Sequence, residues 1–562
     1  MATHTVFNQA GPLPVCNLFL TDTPLVEALA RNGASWAHDD LVALGERLGQ
    51  PLPFELARQA ELNPPELHRY DAHGQRIDDV QFDLSWHALM TEVTQSGLHN
   101  SPWAQPAAGA TVARAARFLL HAQVDAASLC PVTMTHAAIP ILQDHVDSLP
   151  IGAWYPALFS MQYDPRPLPP GLKDGLLLGM GATEKQGGSD LRANTTRARP
   201  DHGSGPGQPY RITGHKWFFS VPQSDAHVVV AQADGGLSCF LLPRLLPDGS
   251  RNAVRVERLK NKLGNRGNAS AEVEFDDALG WLVGEEGHGA RLLASIANRT
   301  RLDCALGSIG LMRRALTLTM HHARQRQAFG RPLIEQPLMR AVLADLALEL
   351  EGATALSLRL AAAWDRDHDP QEFALARALT PAAKYLLCKR GPGFIAEAME
   401  VLGGNGYIEE SDLPRLYREM PVNSIWEGAG NIMALDVLRA LGHDPATLVA
   451  LHAELGAARG QDRHYDATLG YLATLLHGAE PATMRIVSEL LVLLATASQL
   501  LRHAPAAIAS AWCAARLGTR HQQYGAFSAQ EATGLLLERA WRAGGDHPSA
   551  SEGLVADTLG LG

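Results

Sequence analysis

Three short segments combine residue types that can bind a ligand or move a proton. Residues 183–190 (Thr-Glu-Lys-Gln-Gly-Gly-Ser-Asp) join paired glycines, which let a backbone approach a ligand, to hydroxyls that can hydrogen-bond. Residues 214–220 (Gly-His-Lys-Trp-Phe-Phe-Ser) place three aromatics before a hydroxyl, a composition suited to packing against a planar ring. Residues 424–431 (Ser-Ile-Trp-Glu-Gly-Ala-Gly-Asn) hold one carboxylate beside an aromatic side chain. Taken singly, residues 183–190 are equally compatible with a simple turn, residues 214–220 are more commonly core aromatics, and residues 424–431 are typical of a helix N-cap loop.

The hydrophobic pattern predicts two domains in the first half of the chain, which position the first two of these segments. Residues 1–178 carry apolar side chains at three- and four-residue spacings between proline-bearing loops, which predicts a helical N-terminal domain. Residues 179–283 change to short strand-like runs separated by Gly-Gly and Asp-Gly turns, which predicts a small antiparallel β domain. The predicted helices are residues 25–32, 41–48 and 112–127, and the predicted strands are residues 210–212, 227–232, 237–242 and 271–275.

Helical spacing returns after residue 284 and continues to the C-terminus. Residues 284–445 predict long antiparallel helices of a four-helix bundle, and one helical face carries Leu338, Val342, Leu343, Leu346 and Leu350. Residues 446–562 are rich in alanine and leucine, with helical runs at 486–501 and 504–517, and predict an additional helical domain. The predicted fold class is therefore mainly α with a small β domain.

Two further segments complete an ordered set of five. Residues 326–330 (Arg-Gln-Ala-Phe-Gly) and 402–407 (Leu-Gly-Gly-Asn-Gly-Tyr), with the three segments above, resemble the motifs of the acyl-CoA dehydrogenase flavoprotein family in order and approximate spacing. The extra helical domain and the stretches at residues 4–9, 63–67 and 420–424 are similar to the branch linked to the bacterial response to DNA alkylation. The resemblance covers nearly the whole chain and implies a β-barrel middle domain and a C-terminal four-helix bundle.

The resemblance implies FAD as cofactor. In the family, hydroxyls matching Thr183 and Ser189 meet the flavin pyrimidine edge and the FAD pyrophosphate, and Phe218 matches the aromatic that lies against the isoalloxazine. Ser220 takes the place of the Thr or Ser that bonds near N5 and O4. The implied FAD-binding residues are Met180, Thr183, Ser189, Phe218, Phe219, Ser220, Arg326, Phe329, Ile425, Trp426, Gly428 and Asn431.

The same resemblance implies an oligomer. Residues matching Arg326 and Phe329 hold the adenosine and pyrophosphate half of the FAD of a neighbouring subunit, usually in a tetramer built as a dimer of dimers. This chain departs from the family pattern at Pro337, where a glutamine is usual, and at Ala429, where a threonine is usual.

Glu427 matches the carboxylate that abstracts the α proton of an acyl thioester in this family. Some relatives carry the base on an earlier helix, ahead of an arginine, and here that position is Thr300 before Arg301. We therefore expect Glu427 to be the catalytic base.

Charge gives weak support to DNA binding. The net charge of the chain is -11, and residues 446–562 contain 8 Arg, no Lys and 10 Asp+Glu, a net of 8 - 10 = -2. The family resemblance nevertheless assigns double-stranded DNA to this domain, and a local arginine face is one way to bind it. The candidate residues are Arg516, Arg520, Arg539 and Arg542.

Composition argues against four classes of protein: disulfide-rich, metal-binding, secreted and membrane-spanning. The six cysteines are scattered singly and the histidines show no metal-ligand spacing, so we expect neither a disulfide framework nor a metal site. No secretory signal or membrane-spanning run is visible, so we expect a soluble protein in the cytoplasm. The resulting expectation is an FAD protein of the DNA alkylation response that binds DNA weakly and protects it or inactivates alkylating agents. The alternatives are an ordinary acyl-CoA dehydrogenase acting on a short or branched acyl thioester, and an interaction scaffold with an inactive flavin site.

Overall fold

The computed structural model describes residues 3–518, 523–527 and 529–542. Its N-terminal part is helical, as predicted; most of its helices pack into one large apolar core, and the second half of α7 packs into a smaller core with barrel strands. The helices are α1 (Thr23–Arg31), α2 (His38–Leu48), α3 (Pro51–Leu62), α4 (Leu84–Gln95), α5 (Ser101–Ala104), α6 (Ala110–Ala122) and α7 (Leu129–Asp144).

A hairpin interrupts these helices, which the helical spacing did not indicate. Strands β1 (Glu66–Tyr70) and β2 (Arg76–Gln81) pair antiparallel between α3 and α4. Asp71 holds the turn, since its Oδ1 accepts hydrogen bonds from the backbone N–H groups of His73 and Gln75, each 2.8 Å long. β1 alternates between exposed and half-buried residues and β2 is mostly half-buried, but the two strands carry few apolar residues, so their sequences lack the apolar–polar alternation that predicts a half-buried strand.

The predicted middle domain is a barrel. Its strands are β3 (Leu178–Gly181), β4 (Arg197–Pro200), β5 (Pro209–Ser220), β6 (Ala226–Ala233), β7 (Gly236–Pro243), β8 (Val254–Leu259) and β9 (Ser270–Val283). Strand β5 pairs with β4 and β9, β9 pairs with β7, β7 with β6, and β6 with β4, so the sheet closes on itself. Most pairs are antiparallel, but β6 is parallel to β3 and β4.

Long helices follow the barrel and form the bundle. They are α8 (Gly289–Gln325), α9 (Pro337–Asp365) and α10 (Pro370–Leu402), followed by α11 (Gly404–Tyr407), α12 (Asp412–Glu419) and α13 (Gly430–His443). A short hairpin of β10 (Gln327–Ala328) and β11 (Arg331–Pro332) joins α8 to α9. Leu338, which the helical pattern placed on the buried face of α9, is exposed because it lies in the first turn, beyond the packed part of the bundle.

The additional C-terminal helices pack on the bundle through the same core. They are α14 (Pro445–Gly456), α15 (Arg463–His477), α16 (Met484–His503), α17 (Ala506–Trp512), a π-helical turn (Cys513–Gly518) and α18 (Thr533–Ala540). Among the described helices, α16 is long and apolar enough to span a membrane, but 78% of its most apolar window is buried. It lies against α9 and α10 as a core helix.

The predicted fold class is confirmed, with a helical N-terminal part, a small β-barrel and a helical C-terminal part. The predicted domain boundaries at residues 178, 283 and 445 stay predictions. Elements from all three parts surround the residues described next.

Candidate functional site

The turn before α13 carries Glu427 in an unusual backbone conformation. Glu427 has φ +57° and the following Gly428 has φ +103°. A non-glycine residue in the left-handed region costs about 1–2 kcal/mol, so its surroundings must hold it there. Such residues are concentrated at functional sites.

Helix α8 holds the Glu427 side chain and backbone. The Thr300 hydroxyl lies 2.6 Å from Oε2 of Glu427, and Arg301 Nε donates to the Glu427 carbonyl oxygen at 3.1 Å. Within the described residues, Oε1 of Glu427 accepts no hydrogen bond, so this oxygen is open to a ligand. Thr300 is therefore the partner of the carboxylate and does not replace it.

A buried lysine from α10 fixes the same turn. Lys384 is 1% exposed, and its Nζ donates to the carbonyl oxygens of Trp426 at 2.7 Å and Gly428 at 2.6 Å. Among the described residues, no carboxylate forms an ion pair with Lys384. Its charge is thus directed at the two peptide oxygens that flank Glu427, a role that sequence reasoning missed because backbone partners leave no sequence signal.

Three hydroxyl side chains and one aromatic lie on one edge of the barrel. Met180 of β3 pairs in register with Ser220 of β5, and Phe218 is 48% exposed two residues before Ser220. Within the described part of the chain, the hydroxyls of Thr183, Ser189 and Ser220 make no protein hydrogen bond. This edge therefore offers unused hydrogen-bonding groups beside an exposed aromatic face.

Phe219 corrects one sequence expectation. Its ring is fully buried inside the barrel, with its centroid 4.3 Å from that of His227 and 6.0 Å from that of Phe275. Successive side chains of a strand point to opposite faces, so Phe218 and Phe219 cannot both face the outside. Phe219 belongs to the barrel core and not to the ligand-facing edge.

A buried ion pair lies under the 183–190 loop. Nζ of Lys216 is 2.8 Å from Oε1 of Glu184, and both side chains are inaccessible to solvent. Burial alone would raise the pKa of Glu184, but the ion pair and the hydrogen bonds from Thr195 and Thr196 outweigh it and hold the pKa well below its usual value. Sequence reasoning missed this pair, which anchors the loop that carries Thr183 and Ser189.

The β10–β11 hairpin presents Phe329 to solvent. Phe329 and Gly330 form its turn with φ +52° and +81°, and the Phe329 side chain is 97% exposed. Arg326 precedes the hairpin, and its guanidinium donates to the carbonyl oxygen of Asn8. Phe329 therefore lies exposed at the tip of the hairpin, and Arg326 lies half-buried at its base.

The other predicted residues of the 424–431 segment surround Glu427. Ile425 is exposed, and Trp426 is half-buried with its indole N–H donating to Asn423 Oδ1 at 3.1 Å. Asn431 is exposed in the first turn of α13, where its Oδ1 accepts a hydrogen bond of 3.5 Å from Arg485 of α16. The additional C-terminal helices thus reach the edge of this segment.

Two of the four candidate DNA-binding arginines are buried, and this corrects the sequence expectation. Arg516 is ion-paired with Asp345 and Glu349 of α9, and Arg539 with Glu27 of α1 and Glu351 of α9. Their guanidinium groups are occupied by carboxylates and cannot reach a phosphate. Arg520 lies outside the described residues, and Arg542 is half-buried at the end of the described chain.

Three family models match consecutive parts of the chain. The adaptive response protein AidB N-terminal domain matches residues 8–165, the acyl-CoA dehydrogenase middle domain residues 179–278, and the acyl-CoA dehydrogenase C-terminal domain residues 287–442. The fold described above is that of this class of protein. The chain belongs to the acyl-CoA dehydrogenase family.

Individual relatives extend the likeness over nearly the whole chain. AidB of Escherichia coli (strain K12) is 56% identical over 520 residues, which cover 92% of this chain and 95% of that protein. Acyl-CoA dehydrogenase family member 11 of Caenorhabditis elegans is 28% identical over 82% of this chain and 76% of its own length. Among solved structures, the apo form of Bd2924 gives a TM-score of 0.80 at 29% identity, covering 89% of this chain and all of its own. The complex of C. elegans ACDH-11 with C11-CoA gives a TM-score of 0.83 at 24% identity. The match covers 95% of this chain and 96% of that one, and it shows the shared fold.

FAD is the cofactor of this family, and the chain is an FAD-dependent oxidoreductase. Its residues fit such a ligand, since the hydroxyls of Thr183, Ser189 and Ser220 have no hydrogen-bond partner among the described residues and Phe218 beside Ser220 is exposed. A Cβ at Gly188 would lie 2.3 Å from Oγ1 of Thr183, so only glycine leaves this hydroxyl open. Members of the family are generally homo-oligomers.

Proposed function

We propose that the chain oxidises an acyl thioester or a related small electrophile, with Glu427 as the base. The observation that carries this proposal is the position of the Glu427 carboxylate, which has Oε2 held by Thr300 and Oε1 open. In this proposal Oε1 receives the α proton of the substrate. Bound FAD supplies the acceptor for the hydride from the β carbon.

In this proposal the residues on the barrel edge and around Glu427 bind FAD. Met180, Thr183 and Ser189 form one wall of the cofactor site, Phe218 lies against the ring system and Ser220 bonds to the ring edge. Ile425, Trp426, Gly428 and Asn431 close the site around Glu427.

Arg326 and Phe329 complete the cofactor site of a neighbouring subunit, which requires an oligomer and, in this proposal, a tetramer. The exposure of Phe329 supports this arrangement. A cytoplasmic location is part of the same proposal.

Anaerobic flavin bleaching with a panel of short and branched acyl-CoAs tests the role of Glu427. The Glu427→Gln variant should keep its FAD, because the side chain is nearly isosteric, and should reduce the flavin at least roughly 100-fold more slowly. Glu410→Gln, which changes an exposed carboxylate nearby in the chain, serves as the control and should behave as wild type. Unchanged flavin reduction in Glu427→Gln would place the base elsewhere.

A second role in the response to DNA alkylation is favoured by the relatives. The match of residues 8–165 to the adaptive response domain and the 56% identity to E. coli AidB support it. In this proposal the protein also binds double-stranded DNA weakly and protects it or inactivates alkylating agents. Anaerobic mixing of the chemically reduced protein with an alkylating agent, followed by the flavin absorption spectrum, tests whether the reduced flavin reacts with it.

Any DNA contact must use arginines other than Arg516 and Arg539. Arg459 and Arg463 of the C-terminal helices are exposed, and neither forms an ion pair with a carboxylate among the described residues. A fluorescence anisotropy titration should show weak, sequence-independent binding that falls with salt and drops in Arg459→Ala/Arg463→Ala. Arg197→Ala, at an exposed barrel position, is the control. Absence of binding at low salt would leave the dehydrogenase proposal alone.

A further inference from the structure

The N-terminal segment is bound to the end of α8 and to the hairpin that follows it. The side chain of Asn8 imitates a strand partner, because its Oδ1 accepts from the Gln327 N–H at 2.8 Å and its Nδ2 donates to the Gln327 carbonyl oxygen at 2.9 Å. Asn8 has φ +53°, a conformation that asparagine tolerates better than most residues. More than 300 positions separate these two residues in the sequence.

Further hydrogen bonds fasten the residues next to Asn8. The Gly11 N–H donates to Gln325 Oε1 at 2.7 Å, and His321 Nε2 lies 2.8 Å from the Gly11 carbonyl oxygen. Asn405 Nδ2 donates to Gln9 Oε1 at 3.1 Å. Residues 8–11, called here the N-terminal clamp, thus contact α8, the hairpin and α11 at once.

The hairpin needs such support. Strands β10 and β11 have two residues each, and an isolated two-stranded hairpin is marginal in water. Two hydrogen bonds from the start of α9 and the turn before it also hold the hairpin, from Gln336 Nε2 to the Ala328 carbonyl oxygen and from the Leu333 N–H to the Arg326 carbonyl oxygen, each 2.8 Å long. Without the clamp, the backbone of Gln327 would lose both side-chain partners, and Arg326 would lose its contact with the Asn8 carbonyl oxygen.

We propose that the N-terminal clamp positions Arg326 and Phe329 to complete the FAD site of a neighbouring subunit, with Asn8 as the positioning residue. This inference rests on the proposed role of the hairpin in binding FAD across a subunit interface. A second copy of this chain is the partner, and the exposed side chains of Phe7 and Phe329, on the two segments that Asn8 joins, are apolar surface for it to cover. The clamp acts by pre-organisation, since a hairpin already held in place loses less freedom when the neighbour's cofactor binds.

Asn8→Ala in the full-length protein tests the clamp through the FAD dissociation constant, measured by titrating apoprotein with FAD. The loss of two hydrogen bonds should weaken FAD binding roughly tenfold or more, while the thermal midpoint of the apoprotein stays as in wild type. Asn8→Asp keeps the acceptor for the Gln327 N–H and should give a smaller loss. Thr5→Ala, in the same segment outside the clamp, should bind FAD as wild type does.

Arg326→Ala and Phe329→Ala separate this inference from the proposed function. Unchanged FAD binding in Asn8→Ala, with weakened binding in the two hairpin variants, overturns the clamp and leaves the role of the hairpin standing. Unchanged FAD binding in all three variants overturns both. A fall in the apoprotein midpoint that accounts for the whole loss of FAD would make Asn8 a general stabilising residue and also overturn the clamp.

Discussion

Replacing Lys384 should slow the proposed reaction without displacing the cofactor. Lys384→Met removes the ammonium that donates to the carbonyl oxygens of Trp426 and Gly428 but keeps the length and apolar stem of the side chain. The residue itself touches neither the substrate-facing oxygen of Glu427 nor the FAD-facing edge of the barrel. Its effect must therefore pass through the turn that carries Glu427.

The contacts set the size of the effect. A hydrogen bond from a charged donor contributes about 1.5–3 kcal/mol, so the two bonds supply about 3 kcal/mol at the low end. They offset the cost of about 1–2 kcal/mol for the left-handed conformation of Glu427. A loss of about 3 kcal/mol corresponds to roughly a hundredfold fall in the fraction of molecules with the carboxylate in place. We expect the flavin reduction rate to fall by about the same factor.

The flavin reduction rate is measured in single turnovers under anaerobic conditions, with an acyl-CoA that bleaches the flavin of the wild-type protein. The double variant Lys384→Met/Glu427→Gln should react no more slowly than Glu427→Gln alone, because a residue that acts only through Glu427 has nothing left to position. Lys389→Met removes a positive charge from an exposed position on the same helix and is the matched control.

Two results would refute the reasoning. Wild-type rates in Lys384→Met would mean that Arg301 alone holds the turn. If Lys384→Met lowered the flavin reduction rate of the Glu427→Gln variant by the same factor as it lowers that of wild type, Lys384 would act on the fold or on FAD and not through the carboxylate.

Three further outcomes concern buried charges. Burial, together with Glu61, raises the pKa of Glu419 to about 7, so the stability it contributes is full below about pH 4.5 and is lost as the pH rises through 7. The free energy of unfolding of wild type relative to Glu419→Gln should therefore fall by up to about 3 kcal/mol between pH 5 and 8 in urea titrations. Lys216→Met should destabilise the apoprotein by about 3–5 kcal/mol, because it strands the Glu184 carboxylate, and adding Glu184→Gln should recover part of that loss. Arg516→Ala should likewise lower stability by about 3 kcal/mol, because Asp345 loses its counter-charge while Glu349 keeps its ion pair with Arg390. The DNA affinity of the folded protein should stay unchanged in anisotropy titrations.

Sequence was sufficient where the informative residues are neighbours in the chain. The 183–190 segment carries its glycines and hydroxyls within eight residues, and the 214–220 and 424–431 segments carry glycine, aromatic and hydroxyl residues within the same span. The alternation at residues 271–275 predicted part of β9, and the run at residues 210–212 predicted part of β5. Side chains alternate along a strand, so Phe218 and Phe219 of β5 must face opposite sides of the barrel sheet. Which of them faces outward depends on the β5–β9 register, which shifts between Lys216 and Phe219 and cannot be deduced from one strand alone.

Sequence was insufficient where partners are far apart or belong to the backbone. Thr300 and Glu427 are separated by 127 positions, and the partners of Lys384 are peptide oxygens that any sequence would supply. Helical spacing placed Arg516 on a helix face, but only the packing of the π-helical turn against α9 determines whether that face meets solvent or carboxylates.

The buried arginines also change the expected salt dependence of DNA binding. Of the described arginines in the C-terminal helices, those at 502, 516 and 539 are paired with carboxylates, which leaves those at 459, 463, 485 and 542 for phosphates. Each neutralised phosphate contributes about 0.9 to the slope of log affinity against log salt, so these four described arginines together give a slope of about -4 per subunit. An oligomer that presents several such faces to one duplex would exceed this slope through avidity. A slope near -4 or shallower in a salt series would indicate one subunit per contact, and a slope of -8 or steeper would indicate that neighbouring subunits bind the duplex together. A slope near zero would exclude phosphate contacts by these arginines altogether.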